Sequence, residues 1–411
     1  MNAGWKTVRL SEIALIGAGN SAPQETDDFS EDGPLFVRTS DVGEVKFGTV
    51  LSARDRLSPR GAKGMRVWKS GTILIPKSGA STFVNHRVIL GTDAHVSSHL
   101  ATIAADTEKA APRFLLYYLS TVRAQDLIQD QSYPSLKLPE IGSIEIPLPP
   151  LAEQKRIVAL LDEAFAGIDE AKAKAEANLD DAKSLFTSHL QSIFTTNGPG
   201  WSHKSVEQFV ADGVLAKPFD GNHGEIHPKQ SDYTQGGIPF IMARDLQDGH
   251  VDTTNCVFIS RKMADSLRVG FSQKGDVLIS HKGTIGRSAI VDKTDHEYLM
   301  LTPQVTGYRI LNSSELSNRF LRYYFMSPVF LYEMTAGALD GSTRAYIGIT
   351  KQLKLHLRFP SISEQIRILE RLESLEPEIQ RLTSLYERKL PCLHELKESL
   401  LTQAFTGELT V

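Results

Sequence analysis

The feature that most constrains this 411-residue chain is that its order of landmarks starts again near the middle. Gly33, Phe36, Val37 and Asp41 reappear as Gly237, Phe240, Ile241 and Asp245, an offset of 204. Gly71-Thr-Ile-Leu-Ile75 returns as Gly275-Asp-Val-Leu-Ile279 at the same offset, and Arg113-Phe114 with Tyr117-Tyr118 returns as Arg319-Phe320 with Tyr323-Tyr324 at 206. Glu153-Gln154 with Arg156-Ile157 returns as Glu364-Gln365 with Arg367-Ile368 at 211. Gly4-Trp5 is echoed by Gly200-Trp201. Any one pair is the kind of coincidence that common strand patterns produce. Five in the same order, with an offset that grows as small loop insertions make it grow, mark a duplicated unit. A period of this size is far too long for a solenoid repeat.

Each unit reads as a globular region followed by a long helix. In the first, Gly71–Ile75 is a buried-strand run bounded by turn signals, Arg113–Leu119 opens a short amphipathic helix with Pro112 in its first turn, Tyr133–Leu136 is extended, and Ser143–Ile146 alternates like a last strand. The segment Ile146-Pro-Leu-Pro-Pro-Leu-Ala-Glu-Gln-Lys-Arg-Ile-Val158 then leads into helix, and proline is tolerated at that entry because the missing N–H has no partner there anyway. Apolar or small residues follow at Ile157, Leu161, Ala164, Ile168, Ala171 and Ala175, then at Leu179, Ala182, Phe186, Leu190 and Ile193. Steps of three and four make a coiled-coil seam, with Asp162, Glu163, Asp169, Glu170, Lys172, Lys174 and Glu176 on the solvated face. About 45 helical residues span roughly 65 Å, so another element must lie along the helix. Asn197–Gly200 reads as a stop and linker.

The second helix carries Leu372, Leu375, Ile379, Leu382 and Leu393 toward Phe405, and Pro377 and Pro391 inside it predict kinks or a break. The two helices are expected to pair antiparallel, which gives an approximate two-fold repeat. A coiled coil between two chains is the other way to cover the seams. The expected fold is α+β: two mixed α/β globular regions separated by two long antiparallel helices. The expected boundaries are 1–149 and 197–359 for the globular regions, and 150–196 and 360–411 for the helical spacers.

A net charge of -4 argues against a generally basic nucleic-acid binder and leaves room for local basic surfaces. Cys256 and Cys392 are the only cysteines, which gives neither a disulfide framework nor zinc spacing and fits a reducing compartment. Met1–Trp5 lacks the basic and apolar stretches of a signal peptide, and no run is long and apolar enough to cross a bilayer.

Catalytic signatures are missing. There is no phosphate-loop pattern, Gly17-Ala-Gly19 lacks a third glycine and reads as a turn, and no serine or cysteine nucleophile has its usual context. His95 and His99 have metal-like spacing, yet the segment alternates like a strand and the second half has no counterpart. Glu44 and Lys46 lack the upstream Pro-Asp of a nuclease site and read as surface charge.

Basic clusters do recur. Arg54, Arg56, Arg60, Lys63, Arg66 and Lys69 precede one matched strand; Arg261, Lys262, Arg268 and Lys274 precede the other. After the strands come glycine loops, Lys77-Ser78-Gly79 in one half and His281-Lys282-Gly283-Thr284-Ile285-Gly286-Arg287 in the other. His223, His227 and Lys229 lie on a further polar loop. A solvated surface explains any one cation; recurrence at matched positions points to phosphate contacts, with base edges in reach of the same side chains.

The entry motif at 146–158, its weaker copy at Phe359–Ile368, the glycine-strand motif at Gly275–Gly283 and the ending Gln403-Ala-Phe-Thr-Gly-Glu-Leu409 resemble the specificity (S) subunits of type I restriction-modification systems, over essentially the whole chain. The second entry departs from the pattern, with Pro-Ser-Ile-Ser for Pro-Pro-Leu-Ala. The resemblance implies that each globular region is a target recognition domain reading one half of a split double-stranded DNA sequence. The helices would separate the two and bind two methyltransferase (modification) subunits, with Glu153, Gln154, Arg156, Ile157, Glu364, Gln365, Arg367 and Ile368 as the expected partner-binding positions. S-adenosylmethionine would be held by those subunits, and this chain would bind no cofactor or metal. Restriction (motor-nuclease) subunits would complete a cytoplasmic complex that is an adenine-specific DNA methyltransferase and ATP-dependent endonuclease, the chain itself being non-catalytic. The competing reading is a two-headed protein–protein adaptor with a coiled-coil spacer.

Overall fold

The computed structural model describes residues 5–128, 134–195, 200–223, 227–336 and 346–409. Tyr133 and most of the Asn197–Gly200 stop lie outside the described residues. The chain divides into two compact units, Met1–Ala175 with Arg388–Val411, and Glu176–Glu387.

In the first unit a five-stranded sheet runs in the order Ala14–Ala18, Leu100–Ala105, Ile73–Pro76, Arg87–Leu90, Phe47–Val50, antiparallel except for the last pair. Its central strand is buried at every residue, which accounts for an apolar run without alternation. In the second unit the strands Phe219–Asp220, Val305–Tyr308, Val277–Ser280, Ser288–Ile290 and His250–Val251 stand in the same order, again with a parallel last pair, and Leu246–Gln247 extends the edge. Each unit also closes on itself in the same way. Lys6–Arg9 pairs antiparallel with Glu145–Leu148, and Ser202–Ser205 with His356–Phe359, so the last strand before each long helix is tied to the first strand of its region.

A short helix packs beside each sheet, Pro112–Thr121 in the first unit and Asn318–Met326 in the second. Pro112 sits in the first turn as expected, and Phe114, Leu115, Leu116, Tyr117 and Leu119 are buried. The buried C-terminal end of this helix is finished by Arg87. Its Nε and Nη2 donate to the carbonyls of Leu119 and Val122 (both 3.2 Å), and burial lowers the guanidinium to about 10. The negative end of the helix dipole partly offsets the cost of burying that charge.

The long helices are Leu151–Thr195 and Ile362–Thr406, 45 residues each. Segments of both occur in each unit and run antiparallel. In the first, Arg156 Nη2 donates to Leu409 O (3.3 Å) and Lys397 Nζ lies 3.4 Å from Asp169. In the second, Asn178 Nδ2 donates to the Tyr386 hydroxyl (3.1 Å), while Phe186 shares its core with Ile379.

Two expectations about the helices are corrected. The second helix does not break at Pro377 or Pro391; it is continuous through both. Both prolines are exposed, so the carbonyls they leave unpaired one turn earlier can be solvated. The seam also differs. Phe165 and Phe194 are buried, whereas Ala164 and Ile193 are only half-buried. The two rings pack on aromatic residues of the globular regions, Phe165 edge-on to Tyr117 (5.5 Å) and Phe194 to Phe320 (5.4 Å) and Tyr324 (5.2 Å). The buried face therefore serves two neighbours and is wider than a strict coiled-coil stripe. Leu382, expected inside, is exposed.

Candidate nucleic-acid interface

Many of the cations in the basic stretches are committed to neighbours. Arg54 pairs with Glu44, Arg60 with Asp28 (3.0 Å), Lys69 with Asp93 (2.7 Å) and Arg261 with Glu297 (2.8 Å). Arg56 Nη1 donates to Gly33 O (2.9 Å). Lys63, Lys229 and Lys262 are exposed, and their ammonium groups pair with no carboxylate among the described residues; the Lys229 backbone N–H donates to Asp232 Oδ2 (2.7 Å). The stretches of Arg54–Lys69 and Arg261–Lys274 are thus divided into ion-paired surface and a smaller set of available charges.

Part of that set lies on loops that the fold brings together identically in both units. The first loop carries a Gly-Asn pair, Gly19-Asn20 or Gly221-Asn222. A Cβ on Gly19 would stand 1.9 Å from Val96 O, and one on Gly221 2.0 Å from Leu301 O, so only glycine lets the backbone pass. Asn20 Oδ1 then accepts from the backbone N–H of Arg66 (3.1 Å), and Asn222 Oδ1 from that of Arg268 (3.0 Å). Next to these lie the glycine loops. Lys77 N donates to His99 O and His281 N to Gln304 O, both at 2.9 Å. The following residue is pinned by an isolated bridge in both halves, Ser78 to Ser135 and Lys282 to Tyr346. Asn20, Asn222 and Tyr346 escaped the sequence reading as site residues, whereas Arg268 was read there as one cation of the second basic stretch. The signal was present: Gly-Asn recurs at an offset of 202, and so does Arg66 to Arg268.

In the second unit Lys282 and Thr284 are exposed, and the Lys282 ammonium lies 5.7 Å from the Tyr346 ring centroid. Gly283 and Gly286 turn the loop with positive φ of 79° and 93°. Arg287 is exposed but faces elsewhere: it lines a cavity with Gly249, Arg322 and Glu376. His223 is exposed, with Nε2 2.9 Å from Asp220 Oδ2. His227 is half-buried, and burial lowers its imidazole below the ordinary range.

His281 is corrected from a surface contact to an interior residue, because it is fully buried. Its place is fixed by a chain of polar side chains. The Tyr308 hydroxyl donates to Gln352 Oε1 (2.9 Å), and Gln352 Nε2 donates to Ile347 O and to Thr306 Oγ1 (both 2.9 Å). The Thr306 hydroxyl proton is then left for His281 Nδ1 at 2.7 Å. That assignment puts the imidazole proton on Nε2, 3.9 Å from Asp220 Oδ2. Burial pushes the His281 pKa down to about 4, so the ring is neutral near pH 7. In the first half, His95 is likewise buried, with Nδ1 on Arg66 O (3.1 Å), which ties it to the Arg66 loop.

The expected partner-binding positions separate into two kinds. Gln154 and Gln365 are fully buried and cannot face a partner subunit. Gln154 Oε1 accepts from Ala111 N (2.8 Å), and its Nε2 donates to Lys109 O (3.0 Å) and Pro149 O (2.8 Å). Gln365 makes the same three bonds, to Ser317 N (2.9 Å), Glu315 O (2.8 Å) and Pro360 O (2.9 Å). Ile157 and Ile368 are buried in the adjoining cores. These four residues tie each long helix to its globular region. Arg113 with Asp162 (2.5 Å), and Arg319 with Glu373, add a second tie farther along. Only Glu153 with Arg156 (2.7 Å) and Glu364 with Arg367 (3.1 Å) remain at the surface, as ion pairs one turn apart.

The fold and the matched loops define a class: a duplicated protein with one copy of the same loop constellation in each half, joined through paired long helices. A family model described as the type I restriction modification DNA specificity domain matches residues 2–179 and 215–386, and the chain belongs to that family. It is 23% identical to the type I restriction enzyme EcoBI specificity subunit of Escherichia coli, over 99% of this chain and 86% of that one. It is 25% identical to the EcoKI specificity subunit of Escherichia coli strain K12, over 67% of this chain and 60% of that one. In fold it is similar to the HsdS subunit from Thermoanaerobacter tengcongensis, with a TM-score of 0.59 at 20% identity, covering 100% of this chain and 98% of that one. A chain from a structure of complex assembly and conformational transition in the type I R-M system gives a TM-score of 0.76 at 21% identity, covering 100% and 99%. No described helix is long and apolar enough to cross a membrane.

Proposed function

We propose that the chain is the non-catalytic specificity subunit of a cytoplasmic type I restriction-modification complex. Each globular region reads one half of a bipartite double-stranded DNA target, and the long helices hold the halves at a set separation. Two methyltransferase subunits dock on the helices and hold S-adenosylmethionine; restriction subunits join them. The assembled complex methylates adenine and, with the restriction subunits, cleaves DNA at the expense of ATP.

The observation that carries this reading is the recurrence of one loop constellation in both halves of a chain of this family. Two readers of the same design on one chain suit a bipartite target. Leu185, Leu382 and Leu385 are exposed on the long helices of the second unit, which supports docking of a partner there. DNA binding should fall steeply with salt, because each phosphate contact releases counterions. Binding of the chain with its methyltransferase partner, measured from low to physiological salt, checks this. A complex with no affinity for DNA at any salt would leave the adaptor reading in its place.

A further inference from the structure

Two regions of one design that read different half-sites impose a sorting rule. Phosphates are spaced alike along any duplex, so residues that hold the backbone can be the same in both regions, whereas residues that read base edges must differ. Resting on the proposed function, we infer that Arg66 and Arg268 are the paired phosphate anchors of the two regions. The pinned positions beside them, Ser78 with Ser135 in the first and Lys282 with Tyr346 in the second, read bases.

The anchors satisfy the rule in three respects. Each arginine takes its backbone position from an asparagine on a Gly-Asn loop, at 3.1 and 3.0 Å. Each is exposed, and neither meets a carboxylate among the described residues, unlike Arg54, Arg60 and Arg261 in the same stretches. Each carries a guanidinium, whose planar fork suits two oxygens of one phosphate. In the first region Arg66 is also held over the Trp68 ring, 3.9 Å from its centroid, which orders the side chain before DNA arrives.

The readers satisfy the rule by diverging at positions the backbone keeps equivalent. The bridge from Ser78 to Ser135 and the bridge from Lys282 to Tyr346 join the same two segments. One presents two hydroxyls, which can donate or accept. The other presents an ammonium beside an exposed phenol ring, which favours base acceptors and an apolar contact such as a thymine methyl. Under this rule the second half-site depends on Lys282 and Tyr346, and the first does not.

The test uses the full chain assembled with its methyltransferase subunits. Arg66→Ala and Arg268→Ala should each weaken DNA binding roughly tenfold at low salt, the size expected for a lost charged hydrogen bond. Each should also lower the slope of log affinity against log salt by about one, and leave the methylated motif intact. Arg66→Lys and Arg268→Lys should restore most of the affinity. The double variant Lys282→Ser with Tyr346→Ser should change or relax the second half of the motif alone. An altered motif in either arginine variant, unchanged affinity in both, or an unchanged motif in the double variant overturns the assignment. A wild-type complex with no sequence preference overturns the proposed function itself, so the two failures are distinguishable.

Discussion

At the scale of single residues, chemistry and position have to be read together. His281 shows why. Its sequence neighbours, a lysine and two glycines, look like an exposed phosphate loop, and Lys282 and Thr284 are exposed as that reading expects. His281 itself is buried by contacts with Thr306 and, through it, Gln352, residues 25 and 71 positions away, which no local pattern reveals. The same holds for the ion-paired arginines: composition shows a basic stretch, but Glu44, Asp28 and Glu297 are brought to it only by folding. Burial of His281 carries a pH consequence. Its folded pKa of about 4 lies below the ordinary 6.5, so between those values the unfolded chain binds a proton that the folded chain refuses. Stability is therefore fully present above pH 6.5 and is lost as pH falls toward 4. Urea titrations should show wild type losing about 2 kcal/mol more than His281→Gln between pH 7 and pH 5. Equal losses would mean that the ring is solvated and the polar chain around it is not formed.

At the scale of elements, the buried strands, the short helix with its leading proline and both long helices were legible as periodicity and punctuation. The position of the helix seam was less so. A heptad count finds small residues at regular steps, but a helix with two neighbours buries whichever residues fill the wider face, here Phe165 and Phe194. Of the kinks or break expected at the prolines of the second helix, the break does not occur, since the cost of a proline depends on whether the freed carbonyl meets water. The helix entry was recognised correctly as a recurring motif, but its glutamine was given the wrong neighbour. Gln154 joins the long helix to the segment before Pro112–Thr121 by two bonds, to Ala111 N and Lys109 O, and holds its own entry by a third, to Pro149 O. Replacing it with alanine leaves the Ala111 N–H without that acceptor and two carbonyls without a donor. Gln154→Ala should lower unfolding free energy by about 2–4 kcal/mol. Glu153→Ala, at the exposed neighbour, should stay within about 0.5 kcal/mol of wild type. Chemical denaturation of the two variants compares them directly; a larger loss for Glu153→Ala would show that the entry is held from its surface side.

At the scale of the whole molecule, the duplication was the most legible property of all, because it needs no knowledge of side-chain contacts. Matched landmarks at offsets of 204 to 211 anticipated the order of five strands that one sheet of each unit shares, with Leu246–Gln247 added at the edge in the second. What the repeat could not give was which matched loops are closed by long-range bridges such as Lys282 to Tyr346. The central claim is that two regions read two half-sites and that the helices set the gap between them. Mapping of methylated adenines by long-read sequencing tests it in one measurement, on the chain co-expressed with its methyltransferase partner. Wild type would be compared with a variant carrying four extra residues in each long helix, near Ala171–Ala175 and at the matching level of its antiparallel neighbour. Four residues add about 6 Å of helix. At about 3.4 Å per base pair, the account predicts a split motif methylated in both halves, with a gap one or two base pairs longer in the variant. An uninterrupted motif, or a gap that the insertion leaves unchanged, would contradict it.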